Sequence, residues 1–332
     1  MANSSTTIVG AKSEFLTNFG ADWLGAKAKE DNVIAFMKRD GKAVVREVSV
    51  GGDVFEYEGF DVANLTRQNT RNSSRGDTRY YDKEREMVPA SLGQEFRFGA
   101  RYTPSDLANR GISESDMQND KTIEAVQQTS LDYNINLAAV FNSGTKTQAV
   151  TGGVWTPSAG DPVNDFRITA EQFRDNSLGL LPTDCIIGFK ALQALRTNDS
   201  FRDYVKGGVN SGIMGLADVE TALEAIIGRR VRVHVSSQAY NAAQPDNLQT
   251  VTFAEAWTAS SVYLWRRGED GVRADISGVT QFYIPDQEGV FVNGIDPDND
   301  AARNLTTVVS KLKRRAFVTA DAALIRLTGV VS

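Results

Sequence analysis

The chain has 332 residues, of which 41% are apolar and 23% charged, a balance that allows a sizeable core and argues against wholesale disorder. Its formal net charge of −6 disfavours a protein that reads or grips nucleic acid, because that affinity rests on neutralising phosphates. A single cysteine, Cys185, and a single histidine, His234, leave disulfides, zinc sites and nucleophilic triads without enough members.

The opening MANSSTTIVGAK has neither a basic n-region nor a sustained apolar h-region, and no stretch approaches the apolar length that spans a bilayer. A protein made and kept in the cytoplasm, away from membranes, is expected. Within residues 1–44, Phe15, Phe19, Trp23 and Leu24 recur at helical spacing before Gly25, which predicts an extended arm with one or two short helices. Those large apolar groups need a surface to cover them, on this chain or on a neighbouring copy.

From Val44 to Arg101 the pattern changes to short strand-like runs, AVVREVSV, DVFEYEGFDV and QEFRFGARY. Between the last two lies TRQNTRNSSRGDTRYYDKERE, which has no apolar residue before Tyr80 and Tyr81 and so cannot pack a core of its own. It reads as the exposed tip of a long two-stranded excursion. Arg67, Arg71, Arg75 and Arg79 recur there every fourth residue. Arginine forks pair with carboxylates and with phosphates, so these four are candidates for an inter-subunit contact, against the plainer reading of a solvated loop.

Thr103 as cap, Pro104 at the first helical position and Gly111 after PSDLANR predict a short helix. Ser113 then caps a long one, Glu114 to Asn142, with Met117, Ile123, Val126, Tyr133, Leu137 and Phe141 at three- and four-residue steps until Gly144. Leu131, Ile135 and Ala138 lie beside that stripe, which implies burial on more than one side. Residues 144–167 read as a loop or weak hairpin.

The helix-like TAEQFRDNSLGLL leads into the strand DCIIGF, where Cys185 is expected as a small buried hydrophobe. Two short helices follow, then a longer one in which Leu216, Val219, Leu223 and Ile226 share a face and Gly228 is the stop. RVRVHV alternates Val231, Val233 and Val235 against Arg230, Arg232 and His234. His234 on such a face is expected to be solvent-facing or packed, not catalytic. The remainder is strand after strand.

Motifs that could carry chemistry fail on their particulars. GGVNSG at 207–212 follows a helix-like segment and lacks the lysine of a P-loop. Asp296, Asp298 and Asp300 have the odd spacing of a calcium loop, but Ala301 and Thr307 stand where glycine and glutamate are required. No serine sits in a G-x-S-x-G elbow. The tripeptide Arg75-Gly76-Asp77 matches an adhesion signal, yet a secreted adhesin is opposed by the absent signal peptide. No enzyme, cofactor or metal is expected.

The order of pieces, and above all IIGFKALQALRTNDSFRDYV followed by LADVETALEAIIGRRVRVHV, resembles the major capsid protein of tailed double-stranded DNA bacteriophages, an α+β fold shared with encapsulin shells and the herpesvirus capsid floor. The resemblance implies an N-terminal arm at 1–44 and an extended loop hairpin at 45–101. It implies a peripheral domain at 102–167 and 285–332 with a spine helix at about 114–142, and an axial domain at 168–284.

By the same resemblance, the chain would self-assemble into hexamers and pentamers of an icosahedral virion capsid, enclosing double-stranded DNA without sequence-specific binding. Mild acidity suits such a wall. No long charged leader of the built-in scaffold kind is found, so a separate scaffolding protein is expected, together with a portal and possible decoration proteins. An encapsulin-like nanocompartment is the alternative, and a soluble α/β enzyme a more distant one. If the four arginines make the contact, replacing Arg67, Arg71, Arg75 and Arg79 by serine leaves a folded subunit and lowers particle yield in sedimentation; an unchanged yield removes them from the interface.

Overall fold

The computed structural model describes residues 11–30, 45–47, 54–58, 87–93, 95–206, 214–243, 251–268, 276–284, 287–292 and 305–331. The first half of the chain gives β1 (Ala11–Lys12), α1 (Glu14–Glu30), β2 (Val45–Glu47), β3 (Val54–Glu58), β4 (Met87–Ser91), β5 (Phe96–Tyr102), α2 (Pro104–Arg110), α3 (Glu114–Asn142), β6 (Thr147–Ala149) and α4 (Pro162–Asn176). Then come β7 (Asp184–Gly188), α5 (Phe189–Thr197), α6 (Asp199–Lys206), α7 (Leu216–Ile227), β8 (Arg232–Ser236), β9 (Ala239–Asn241) and β10 (Phe253–Glu255). The closing strands are β11 (Val262–Trp265), β12 (Val279–Tyr283), β13 (Gly289–Val292), β14 (Thr306–Leu312), β15 (Arg314–Val318) and β16 (Leu324–Thr328).

One sheet has the order β6-β16-β11-β7-β8, with β7 and β8 parallel and β11 antiparallel to both β7 and β16. Its central strands are apolar at nearly every position because both faces are covered. Cys185 and Ile187, Val262 and Leu264, and Ile325 and Leu327 meet Phe166, Phe173, Leu195, Phe201 and Leu223 of the helices α4 to α7. On the opposite face Ile186, Tyr263, Trp265 and Leu324 meet Tyr133, Leu137, Ala138 and Phe141 of α3. Each fully buried side chain of this size contributes about 1.5–3 kcal/mol.

The 29 residues of α3 make a rod of roughly 44 Å at ~1.5 Å per residue, long enough to serve two cores. Its later turns line the sheet just described. Its earlier ones, through Met117 and Val126, join Leu16, Tyr102, Val290 and Val308 under a second sheet of order β1-β13-β14-β5. A third sheet, β15-β12-β2, includes β2 running parallel to β12.

Several polar groups inside this packing are matched. Asn134 of α3 donates to Gln238 and accepts from Trp257 Nε1 at 2.7 Å, and the Tyr133 hydroxyl donates to Gln281. Arg314 holds Glu288 through two bonds, Nε to Oε1 at 2.7 Å and Nη2 to Oε2 at 2.5 Å, with its guanidinium 5.6 Å from the Tyr133 ring centroid. A buried pair of this kind fixes geometry more than it adds stability. On the outer edge of β8, Val233 N–H donates to Glu220 Oε1 of α7 at 2.9 Å.

The expected caps of α2 and α3 are present: Thr103 and Asp106 form a capping box, Gly111 is left-handed at φ 64, and Ser113 accepts from Asp116 N–H. Gly228 closes α7 at φ 77. Other details differ from the sequence reading. The arm helix α1 is one element that continues past Gly25, and it buries Leu16, leaving Phe15 exposed. Its Gly20 lies against α3, where a Cβ would stand 3.0 Å from Val126, so the absent side chain sets the approach of the two helices. The residue that closes α3 is Ser143 in helical conformation, not Gly144. Gly144 is needed for room: a Cβ there would sit 2.7 Å from Leu324.

The 144–167 segment is not simply loop. It contributes β6, and α4 begins at Pro162 with Asp161 as its cap. Asp165, buried in that helix, accepts from Thr151 N–H, the Thr151 hydroxyl and Trp155 Nε1, each at 2.8 Å. Asn198 Nδ2 ties down Thr156 and Ala159 carbonyls at 2.7 and 2.9 Å. At its other end α4 stops before Leu178, whose φ of 54 reverses the chain. The division expected at 167/168 therefore falls inside α4, and β6 and β16, from the segments on either side of 168–284, pair within the sheet built by that segment.

Gly188 joins β7 to α5 at φ −67 and ψ 152, a conformation open to any residue, yet a Cβ there would lie 2.3 Å from the Ala259 carbonyl oxygen. Gly188→Ala is expected to destabilise the subunit by about 1–3 kcal/mol through overpacking against backbone; an unchanged urea midpoint would show that the β11 side yields freely.

Candidate subunit interface

Three limbs leave the packed body. The first is the β3–β4 hairpin, paired from Val54↔Ser91 to Glu58↔Met87, and β4 was not foreseen from the sequence. Strand alternation divides β3: Phe55 and Tyr57 face inward, whereas Val54 is 73% exposed. Phe55 and Tyr57 lie 4.7 and 5.4 Å from Phe282, and Tyr57 is 5.6 Å from Phe317, centroid to centroid. Leu92 and Ile284 complete this small cluster. Burial pushes the Tyr57 hydroxyl pKa up. Arg315 stacks over Phe317 at 5.1 Å and donates to the Ser91 carbonyl at 3.0 Å, closing the base of the stem.

A two-stranded ribbon is marginal by itself, so among the described residues the stem leans on this aromatic seat and on the Arg315 bond. Residues 59–86 join the two strands in the sequence and lie outside the described residues. Arg67, Arg71, Arg75 and Arg79 fall in that stretch and lie outside the described residues. The stem fits the expected two-stranded excursion; the geometry around the four arginines is not part of the described structure.

The second limb is the β9–β10 ribbon, on which Phe253 is 69% and nearby Val251 78% exposed. Its base is fixed where Gln238 O accepts from Ala256 N–H at 3.0 Å, next to the Asn134 and Trp257 contacts. The third is α1, held by Leu16, Trp23 and Leu24 and by the Thr17 hydroxyl accepting from Val290 N–H at 3.0 Å, while Phe15 remains 68% exposed. Apolar side chains at such exposure on projecting elements are what a contact surface supplies.

Residues that could have carried chemistry sit differently. His234 Nε2 lies 2.8 Å from Asp184 Oδ1, across the parallel β7–β8 pair, and the Asp184 side chain is buried. The Thr183 hydroxyl donates to the other carboxylate oxygen at 2.7 Å, and Thr183 accepts from Arg267 N–H at 2.8 Å. Cys185 is fully buried between two sheet neighbours and its thiol pKa is pushed up by burial, as a small core residue requires. The 207–212 and 296–300 motifs lie outside the described residues. Among the described residues no group of three or more His, Cys, Asp and Glu is placed to hold a metal, and no helix is long and apolar enough to cross a membrane.

The whole architecture is similar to that of a phage-related protein from Bordetella bronchiseptica RB50, with 16% identity, 98% of this chain and 100% of that chain covered, and a TM-score of 0.63. It is similar to the subunit of the bacteriophage PhiM1 mature capsid at 8% identity, over 87% of this chain and 86% of that chain, with a TM-score of 0.52. The chain has the tailed-phage capsid fold. A virus-like particle from Pyrococcus furiosus is also similar, with 11% identity, 95% and 100% coverage and a TM-score of 0.50. No protein-family model and no curated protein matches the sequence. In this capsid fold the likeness lies in element order and packing, while the side chains differ at most positions.

Removing the aromatic seat tests how the first limb is held. Phe55→Ala is expected to cost about 2 kcal/mol, less than the full cost of a core phenylalanine because its stem is only half-buried. Amide exchange should rise on β3 and β4 with β7 and β11 still protected; uniform protection across all four would mean the stem does not rest on Phe55.

Proposed function

We propose that this chain is the major shell subunit of a tailed bacteriophage, forming hexamers and pentamers that close into an icosahedral capsid around double-stranded DNA. The observation that carries the reading is the similarity of its fold, over 87% of its length, to a mature phage capsid subunit, combined with large apolar side chains that stay exposed on these limbs among the described residues. In a ring each copy offers one surface and receives another, so projecting limbs and the bodies that accept them need not be alike. Many modest contacts then sum to a durable shell.

The role is structural, without catalysis. A separate scaffolding protein to set curvature, a portal and decoration proteins are the proposed partners, with the virion as final location and the host cytoplasm as the place of synthesis. The proposed parts are the arm at 1–44, the extended loop at 45–101, and peripheral and axial regions whose seam is a shared sheet. A second reading, a compartment that holds protein cargo, is favoured by the similarity to the Pyrococcus furiosus virus-like particle.

Expression of the chain with and without a candidate scaffold, followed by negative-stain microscopy and analysis of particle contents, separates these readings. Closed particles that take up DNA support the capsid; particles filled with a host enzyme support the compartment. A monomer at high concentration under both conditions would overturn the shell itself.

A further inference from the structure

The end of the five-stranded sheet where β7 and β8 begin collects positive charge. Arg232 N–H donates to the Thr183 carbonyl at 3.0 Å, and Arg267 N–H to the Thr183 hydroxyl at 2.8 Å, so β8 and the end of β11 flank the same residue. With strands about 4.8 Å apart, the backbones of Arg232 and Arg267 stand roughly 10 Å from each other. Arg229 and Arg230 enter the same end directly after Gly228 closes α7.

Arg229, Arg230 and Arg232 are exposed, and among the described residues none has an ion-pair partner. Several arginines elsewhere do: Arg167 pairs with Glu171 at 3.0 Å, Arg174 with Asp175 at 3.1 Å and the half-buried Arg202 with Asp199 at 3.3 Å. Two acidic groups of this region are engaged, Asp184 by His234 and Thr183, and Glu220 by Val233 N–H. In a chain of net charge −6, three guanidinium groups without an ion-pair partner among the described residues gather at one sheet end.

We infer that Arg229, Arg230 and Arg232, with Arg267 beside them, form a contact site for the phosphodiester backbone of duplex DNA. A protein partner is the weaker fit. Stable protein interfaces are centred on desolvated apolar or aromatic anchors, and none of the large exposed apolar side chains belongs to residues 228–236 or 261–268. Strand addition along β8 is opposed by Glu220, which already occupies the outward Val233 N–H. Guanidinium forks on a polar edge suit phosphates without reading sequence. An otherwise acidic wall would then touch packaged DNA at spaced points and leave it free between them.

The choice of duplex DNA rests on the proposed shell; the charge cluster does not. The test is fluorescence anisotropy of a labelled duplex of about 20 base pairs with the unassembled full chain at about 50 mM salt. Arg229→Ser, Arg230→Ser and Arg232→Ser together should weaken binding about tenfold or more and reduce the log–log salt slope by about 2–3. A control with Arg167→Ser, Arg174→Ser and Arg202→Ser, which removes the same charge from paired positions, should stay within about twofold of the parent.

Equal losses in both variants, no binding by the parent chain, or displacement of the duplex by a polyglutamate of equal charge would each overturn the site, the last by assigning it to an acidic protein. Particle assembly is scored separately in the same variants. A chain that binds duplex through these arginines but forms no particles sinks the shell and keeps the site, and the reverse result does the opposite.

Discussion

The structure depends on α3 being buried along two different neighbours. Through Tyr133, Leu137 and Phe141 it covers one face of the five-stranded sheet, and through Met117 and Val126 it supports β14, β13 and the arm. Dispersion and apolar burial supply the energy, but they do not fix the helix along its own axis. That is done by polar contacts at the crossing: Asn134 between Gln238 and Trp257, Tyr133 on Gln281, and the Tyr263 hydroxyl donating to Asn142 Oδ1 at 2.7 Å. Sliding the rod by one turn would leave several of these groups buried and unmatched, at about 1–3 kcal/mol each.

Against that rigid frame the limbs are lightly attached. The β3–β4 stem sits on a handful of rings, the β9–β10 ribbon is fixed at its base, and α1 rests on Leu16 and the gap at Gly20. Local stability follows burial, so these elements open at lower cost than the sheets. In the proposed shell this division would have a use: the body would keep its shape while its projections adjusted to neighbours that differ between five-fold and six-fold surroundings.

Much of this was legible in the sequence because it is local. The caps at Thr103, Ser113 and Gly228 sit beside the helices they bound, the unbroken apolar run in DCIIGF reports a strand covered on both faces, and the alternation in RVRVHV reports one covered mainly on one. What could not be read depends on partners distant along the chain. His234 meets a carboxylate fifty positions earlier only because β7 and β8 are parallel, and Gly144 is small because Leu324 packs there. The strand β4 was hidden by Pro89, which a ribbon tolerates at a free edge. The start of α4 did have a signal, Asp161 followed by Pro162, but a run rich in glycine and proline masked it. The candidate interface was legible as an excursion poor in core residues, while its aromatic seat drew on Phe282 and Phe317 from the far end of the chain.

The hydrogen bond from Val233 to Glu220 has a consequence beyond its own strand. An open sheet margin is a template on which identical chains can stack into fibres, and the hazard grows with concentration. A carboxylate folded over that margin makes such stacking costly, since it must first be displaced and left without its donor. In the proposed shell, subunits crowded together before closure would thus be steered away from an endless ladder and toward associations that can come full circle.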